Sequence, residues 1–261
     1  EGTLGFITEI NLKLHGRPEA ISAGVCTFKD LKGAVDTVIE SIQIGLPLSR
    51  IELLDEVQIK AINQYKKASH EVGPTLFVEI QGTPLGVKEQ SEIFKEIANT
   101  NNALKFQWSD RSEEIEVLWS ARHDAYYAAL SLAPGKKAFT TDICVPISKL
   151  TDCILETKKD IEKSNIIAPI VGHVGDGNFH LIMLLDPENE KEVSEAKLLN
   201  DKLVNRALKM EGTSTGEHGI GIGKKEYLKI EQGLSVEVMS QIKKAIDPKN
   251  IMNPGKIFEI N

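Results

Sequence analysis

The chain has 261 residues, of which 41% are hydrophobic and 26% charged, and its formal net charge is −7. This composition is that of a globular protein and excludes intrinsic disorder. The acidic balance argues against nucleic acid as a partner, because phosphate binding requires a basic surface. No run of about 18 apolar residues occurs, so no transmembrane helix is predicted. Three scattered cysteines are too few for a disulfide framework and indicate a reducing, intracellular compartment.

The first residues already suggest that more protein precedes them. The chain opens with Glu1 instead of an initiator methionine and enters the alternating stretch 8–14 (TEINLKL) directly. Alternation of apolar and polar residues is typical of a half-buried strand. We therefore expect a fragment that begins within a folded structure.

Residues 20–108 predict a split βαβ unit. Strands are predicted at 20–28, 50–54, 75–81 and 104–108, and helices at 30–42, 56–65 and 87–98. If the short second helix is set aside, the order is βαββαβ, which is the ferredoxin-like arrangement with an antiparallel sheet.

A second stretch repeats this order. Strands are predicted at 139–145, 167–174 and 179–185, and helices at 113–132, 147–163, 190–210 and 236–246. The helix 113–132 lies between the two units. We predict one α+β domain, an antiparallel sheet with helices on one side, built from two ferredoxin-like split-βαβ halves.

The segment 172–180 (GHVGDGNFH) contains the first candidate site. Asp176-Gly177 between two apolar runs predicts a two-residue hairpin turn. Such a turn pairs His173 with His180, and cross-strand neighbours lie about 5 Å apart. Two imidazoles at that separation can bind one divalent cation. A wider loop would shift the pairing but keep the histidines adjacent.

The Gly-rich segment 212–221 (GTSTGEHGIG) is the second candidate. Glu217 could complete a His/His/Glu metal site with open positions for substrate, while His218 would remain free for proton transfer. An ordinary Gly-rich surface loop is the alternative interpretation. Arg122 is a weaker candidate: it shares a helix face with Tyr126 and could bind a carboxylate, although most helical arginines are solvated.

Together these motifs resemble a known family. The segments GTLGFIT, GHVGDGNFH, GTSTGEHGIG and DPKNIMNPGK, spread from Gly2 to Lys256, are similar to the C-terminal region of the flavin-dependent 2-hydroxyacid dehydrogenases. Within that family, the resemblance is closest to the cytochrome-type D-lactate enzymes and the glycolate oxidase flavin subunit. It implies that residues 1–16 are the last strand of an upstream FAD-binding domain and that 17–261 form the substrate, or cap, domain.

The resemblance also implies roles for individual residues. It implies that a zinc or manganese ion is bound by His173, His180 and Glu217, and that His218 is the catalytic base. It implies substrate binding by Arg122, Lys137 and Tyr126. The flavin side of the site would be lined by Gly2, Thr3, Leu4, Gly5, Asn178 and Asn253. Without the FAD-binding domain, the fragment is expected to be inactive.

The implied reaction is oxidation of a small D-2-hydroxy acid to the 2-oxo acid, with electrons passing from FAD to a cytochrome, a quinone or an electron-transfer protein. Ile182 stands where the hydroxyglutarate enzymes carry a polar asparagine, which favours D-lactate, then glycolate, over D-2-hydroxyglutarate. The implied location is mitochondrial or, in bacteria, the cytoplasm or inner-membrane periphery, and a homodimer is compatible with it. A non-catalytic metal-binding module and a zinc hydrolase are the alternatives.

Overall fold

Eight strands form one antiparallel sheet within residues 1–260, the part of the chain that the computed structural model describes. The sheet order is β4-β1-β3-β2-β7-β8-β5, and β6 also pairs with β8. The strands are β1 (Ala20–Phe28), β2 (Leu48–Leu54), β3 (Thr75–Gly82), β4 (Ala103–Ser109), β5 (Lys137–Thr140), β6 (Ile143–Cys144), β7 (Ile170–Gly172) and β8 (Asn178–Leu185).

The first half has the predicted ferredoxin-like order, β4-β1-β3-β2. Its helices are α1 (Leu31–Gln43), α2 (Glu56–Lys66) and α3 (Pro84–Thr100). Each begins at a side chain that accepts a hydrogen bond from a free backbone N–H of the first turn, as N-capping residues do. These caps are Asp30, Asp55 and Thr83.

The second half continues the same sheet through β7. Leu53 and Leu54 of β2 pair with Gly172 and Val171 of β7, so the edge strands of the two halves meet. The fourth strand expected of a ferredoxin-like unit is reduced to a single bridge between Cys144 and Thr213.

Six further helices follow: α4 (Ser112–His123), α5 (Ala125–Ser131), α6 (Leu150–Glu162), α7 (Glu190–Lys209), α8 (Lys225–Gln232) and α9 (Ser235–Ile246). The predicted single helix over 113–132 is broken at Asp124, whose ψ of 5° leaves the helical range and whose carboxylate pairs with Lys66 of α2. Helix α8 was not predicted. None of the helices within 1–260 is both long and apolar enough to cross a membrane.

Helices cover both faces of the sheet. The α+β class and the antiparallel sheet are confirmed, but the helices predicted on one side are divided between two. Helices α1, α3, α6 and α7 pack on the face that contains Cys26 and Leu181, whereas α2, α4 and α5 cover the face that contains Val25 and Ile182. The reason is that the central strands are apolar on both faces, so each face must be buried.

Residues 1–16 form no strand in this structure. The predicted half-buried strand over 8–14 is absent, and the apolar side chains of this stretch are exposed, Leu12 by 77% and Leu14 by 85%. A strand requires a hydrogen-bonding neighbour, and no described strand lies beside this segment.

Candidate functional site

The turn between β7 and β8 is wider than predicted. Residues Val174–Asp176 form a single 3-10 turn that ends at Gly177, whose φ is 77°. A Cβ at Gly177 would lie 2.1 Å from the Val145 carbonyl oxygen, so only glycine fits. His180 therefore pairs with Val171 and not with His173, and the predicted register is wrong. The two imidazoles are nevertheless neighbours, with ring centroids 5.9 Å apart.

Three imidazoles converge on one carboxylate oxygen. Glu217 Oε1 lies 3.2 Å from His180 Nε2, 3.5 Å from His173 Nε2 and 3.6 Å from His218 Nε2. Ligands about 2.1 Å from a tetrahedral zinc are themselves about 3.4 Å apart, so these separations fit a shared cation. A set of imidazole and carboxylate donors suits zinc or manganese. The predicted residues His173, His180, Glu217 and His218 are thus brought together.

His173 and His180, called here the two inner histidines, are each oriented by a hydrogen bond at the second ring nitrogen, Nδ1. His180 Nδ1 lies 2.8 Å from the Thr141 carbonyl oxygen, and His173 Nδ1 lies 2.6 Å from Glu52 Oε1. Hydrogen bonds of this kind direct the Nε2 atoms of metal-binding histidines toward the ion. The hydrogen bond to Glu52 raises the pKa of His173, whereas burial lowers the pKa of His180.

Asp142 holds the loop that carries Glu217 and His218. The side chain is buried between β5 and β6, where the predicted strand 139–145 is interrupted. Its carboxylate accepts hydrogen bonds from the backbone N–H of Glu217 (3.2 Å) and His218 (2.9 Å), from Thr215 Oγ1 (2.7 Å) and from Lys224 Nζ (3.0 Å). Burial alone would raise the pKa of Asp142, but these donors outweigh it and hold that pKa far below its usual range.

Asn178 supports the same loop from β8. Its Nδ2 donates to Asp142 Oδ1 (3.0 Å) and to the Ile143 carbonyl oxygen (2.8 Å). A Cβ at Gly216 would lie 2.0 Å from this nitrogen, so the loop approaches Asn178 as closely as backbone can. Asn178 Oδ1 is buried without a hydrogen-bond partner among the described residues.

The N-terminal segment contacts the far end of the loop. The Glu1 carboxylate accepts hydrogen bonds from the backbone N–H of Ile220 (2.6 Å) and Gly221 (2.8 Å), and Asn253 Nδ2 donates to the Glu1 carbonyl oxygen (2.6 Å). Thr3 is buried, whereas Gly2, Leu4 and Gly5 are exposed. Of the residues predicted to border the flavin, Gly2 and Asn253 therefore lie near one end of this loop, whereas Asn178 is buried against Gly216. Contact of any of them with a flavin stays a prediction.

Arg122 faces the interior, as the sequence suggested. Its Nε donates to Glu52 Oε2 (3.0 Å), and only 17% of its side chain is exposed. No described residue accepts a hydrogen bond from its terminal nitrogens, which leaves them available to a ligand carboxylate. Tyr126, one turn further, is 44% exposed and contacts Tyr127 edge-on.

Lys137 is not brought to the cluster. It is exposed on the edge strand β5 and pairs with Leu185, five residues from His180 along β8. Five residues of strand span about 16 Å. The substrate-binding role predicted for Lys137 gains no support from this position.

Two residues of the site were missed in the sequence. Glu52 lies in the stretch RIELLDE, where an acidic residue between apolar ones indicates the solvent face of a strand, and Asp142 lies inside a predicted strand. Both are buried. A signal was present at Asp142, because aspartate is disfavoured within strands and its presence there marks an interruption.

Comparison with known sequences identifies the family. Residues 17–257 match the sequence model of the FAD linked oxidases, C-terminal domain. The chain belongs to this family. It is 48% identical over its whole length to a probable mitochondrial D-lactate dehydrogenase of Danio rerio, of which it covers 52%. It is 43% identical to a mitochondrial D-lactate dehydrogenase (cytochrome) of Arabidopsis thaliana, with 99% of the chain and 46% of the relative aligned.

A more distant relative and a solved structure also match nearly the whole chain. The chain is 30% identical to the glycolate oxidase subunit GlcD of Bacillus subtilis, with 99% of the chain and 55% of the relative aligned. The chain thus spans about half the length of the curated relatives it matches. The fold is similar to that of 4-ethylphenol oxidase from Gulosibacter chungangensis, with a TM-score of 0.72, 14% identity, and 95% of this chain and 55% of that one covered.

Proposed function

We propose that this chain is the substrate domain of an FAD-linked dehydrogenase that oxidises D-lactate to its 2-oxo acid. The observation that carries this proposal is the adjacency of two different sites. The cluster of His173, His180 and Glu217 is joined through Glu52 to Arg122, whose terminal nitrogens are free. A 2-hydroxy acid presents a carboxylate and a hydroxyl on neighbouring carbons, and such a pair of sites matches these two groups.

The roles follow from the chemistry of each group. Arg122 binds the substrate carboxylate through its terminal nitrogens, since a guanidinium matches a carboxylate in two parallel hydrogen bonds. His173, His180 and Glu217 would hold zinc or manganese, which lowers the pKa of a coordinated hydroxyl. His218 takes the hydroxyl proton on Nε2. FAD, when bound, supplies the acceptor for the C2 hydride.

The choice of D-lactate is supported by Ile182. This residue follows His180 on the same face of β8 and is buried among apolar side chains of α2, α4 and α5. A buried apolar side chain offers no partner for a second carboxylate. This supports a short substrate, and the names of the relatives at 48% and 43% identity agree with D-lactate. Glycolate ranks second, as the GlcD relative suggests.

The domain arrangement is part of the proposal. We infer that residues 1–16 are the last strand of an FAD-binding domain and that 17–261 form the cap domain. The exposed apolar side chains of the first segment, Phe6, Ile7, Ile10, Leu12 and Leu14, support this, because such a row is normally covered by a neighbour. By analogy with the relatives named mitochondrial and cytochrome-linked, we place the enzyme in mitochondria with a cytochrome as electron acceptor.

Steady-state kinetics of the full-length protein test the assignment. Reduction of an artificial acceptor should be fastest, in kcat/KM, with D-lactate, lower with glycolate and D-2-hydroxyglutarate, and negligible with L-lactate. Arg122→Lys should raise the KM for D-lactate at least about tenfold, because a lysine cannot form the paired hydrogen bonds. Arg111→Lys is the matched control, since Arg111 is exposed and pairs with Glu114. Metal binding without oxidation of any hydroxy acid would leave the non-catalytic module instead.

A further inference from the structure

Glu52 lies where the two halves of the sheet meet. The β2–β7 pairing joins Leu53 to Gly172, and one step further the same register places Glu52 opposite His173. Glu52 is buried on the face of the sheet that α4 covers. One of its oxygens lies 2.6 Å from His173 Nδ1 and the other accepts a hydrogen bond from Arg122 Nε at 3.0 Å. One carboxylate therefore connects the second half, which carries the metal ligands, to the helix that carries the arginine.

We propose that Glu52 is a positioning residue that fixes the substrate-binding arginine relative to the metal ligand His173. This inference rests on the proposed function and adds a residue to it. Glu52 touches neither substrate nor cation. It acts through its two partners, because it sets the direction of His173 Nε2 on one side and of the Arg122 terminal nitrogens on the other.

An ion pair alone would not require this geometry. Neutralising Arg122 takes one carboxylate oxygen, yet the second oxygen is directed at an imidazole whose other nitrogen faces Glu217. A carboxylate hydrogen-bonded to a metal-binding histidine fixes the ring and increases its basicity. Sharing one carboxylate also ties the His173 imidazole and the Arg122 guanidinium to a single side chain of β2, a strand of the central sheet.

The hydrogen-bonding inventory indicates which substitution is informative. Both partners of Glu52 are N–H donors, and a glutamine has one acceptor oxygen and an NH₂ group that cannot accept. Glu52→Gln keeps the volume but leaves one donor facing another. Glu79→Gln is the matched control. Glu79 is a buried acid on the adjacent strand β3 that pairs with Arg50 at 3.5 Å and accepts from Gln81 at 2.7 Å, with no contact to the cluster.

The first test needs neither flavin nor substrate. Long-range ¹H–¹⁵N correlation spectra, recorded near pH 9 so that ordinary histidines are neutral, should show His173 protonated at Nδ1 in the wild type. Glu52→Gln should convert it to a mixture of tautomers, and Glu79→Gln should not. Calorimetric titration with Mn²⁺ should then show about tenfold to a hundredfold weaker binding in Glu52→Gln only.

The second test uses the full-length flavoprotein and separates the two halves of the inference. In Glu52→Gln, saturating Mn²⁺ should restore most of the kcat, but the KM for D-lactate should stay raised about tenfold, because added metal cannot reorient Arg122. Circular dichroism controls for folding. If Glu52→Gln does not fold, Glu52→Asp replaces it, since the shorter carboxylate keeps the charge and cannot reach both partners.

The outcomes distinguish this inference from the proposed function. A folded Glu52→Gln protein with unchanged His173 tautomer, Mn²⁺ affinity and KM would overturn the role of Glu52 and leave the D-lactate assignment intact. Conversely, the wild-type full-length protein could prove to oxidise no 2-hydroxy acid while Glu52→Gln still loses the Nδ1 tautomer. That result would support the positioning of His173 and overturn the proposed reaction.

Discussion

The imidazole rings of His180 and His218 lie almost parallel, with centroids 5.1 Å apart and an angle of 14° between their planes. Their surroundings differ sharply. The His180 side chain is 6% exposed and its Nδ1 lies 2.8 Å from a backbone carbonyl oxygen, whereas the His218 side chain is 47% exposed. The buried, fixed ring suits a metal ligand, and the exposed ring suits a group that must exchange protons with water.

His218→Gln therefore tests the division of roles. We expect the kcat of the full-length enzyme with D-lactate to fall about a hundredfold or more, because a general base contributes at least that factor. Metal content, measured by inductively coupled plasma mass spectrometry, should stay at the wild-type ratio per chain. A loss of metal in this variant would identify His218 as a ligand and leave the base unassigned.

His173→Ala tests the ligand set. Removing one of two inner imidazoles should lower the affinity for Zn²⁺ or Mn²⁺ at least a hundredfold, since outer-sphere changes alone cost tenfold to a hundredfold. The far-ultraviolet circular dichroism spectrum should be unchanged, because His173 lies in a turn and only part of its side chain is buried. His123→Ala, an exposed histidine in the last turn of α4, is the control. Retention of stoichiometric metal in His173→Ala would contradict the assignment.

Gly216→Ala should disturb the loop that carries Glu217. The new methyl group would lie 2.0 Å from Asn178 Nδ2, whose hydrogen bonds to Asp142 and Ile143 prevent it from moving aside. We expect the free energy of unfolding to drop by about 2 kcal/mol, with weaker metal binding. Gly223→Ala, in open space later in the same loop, should change neither. Equal effects of the two substitutions in urea unfolding would show that loop entropy matters and the close approach does not.

Asp55 should make stability depend on pH. It is fully buried at the start of α2, and burial raises its pKa to about 6 despite the Lys158 ammonium 3.0 Å away. The folded state thus favours the protonated form. The contribution of Asp55 protonation to the stability of the folded state is complete below about pH 4 and is lost as the pH rises through 6.

Asp55→Asn removes this titration and keeps an acceptor for the Gln58 N–H. Urea unfolding of both proteins should be measured at pH 4.5 and 7. Relative to Asp55→Asn, the free energy of unfolding of the wild type should be lower at pH 7 than at pH 4.5, by an amount on the order of 1–3 kcal/mol. If the free energy of unfolding of the wild type instead increases relative to that of the variant as the pH rises, the attraction of the Asp55 carboxylate to Lys158 outweighs the effect of its burial.

The first half of the fold could be predicted because its signals are local. Alternation in 75–81 and the period of 30–42 each identify one element, and the strand order follows from the βαββαβ sequence. Residues 8–14 alternate equally well and form no strand, since pairing depends on a neighbour that the alternation does not supply. The two-residue turn predicted at Asp176-Gly177 is wrong for a similar reason. Gly177 is required by the close approach of the Val145 carbonyl oxygen, which the sequence does not show, and the turn it ends is wider.

The grouping of the proposed metal ligands could be predicted, and the residues that support them could not. His173, His180 and Glu217 stand among glycines, an unusual setting that is visible in the sequence. Glu52 is 121 positions from His173, and only the β2–β7 junction brings them together. Lys137 shows the opposite case, because its predicted role came from resemblance, and the register with Leu185 sets it far from His180.

The junction itself is narrow. Strands β2 and β7 share two residue pairs, and helices α1 and α6 pack across the same boundary. The proposed metal ligands belong to the second half, while Glu52 belongs to the first and Arg122 to the helix that follows it. A bound substrate would therefore contact both halves and connect them across the boundary. Their unfolding would become more cooperative when the acid is bound, and the midpoint of that single transition would report on occupancy.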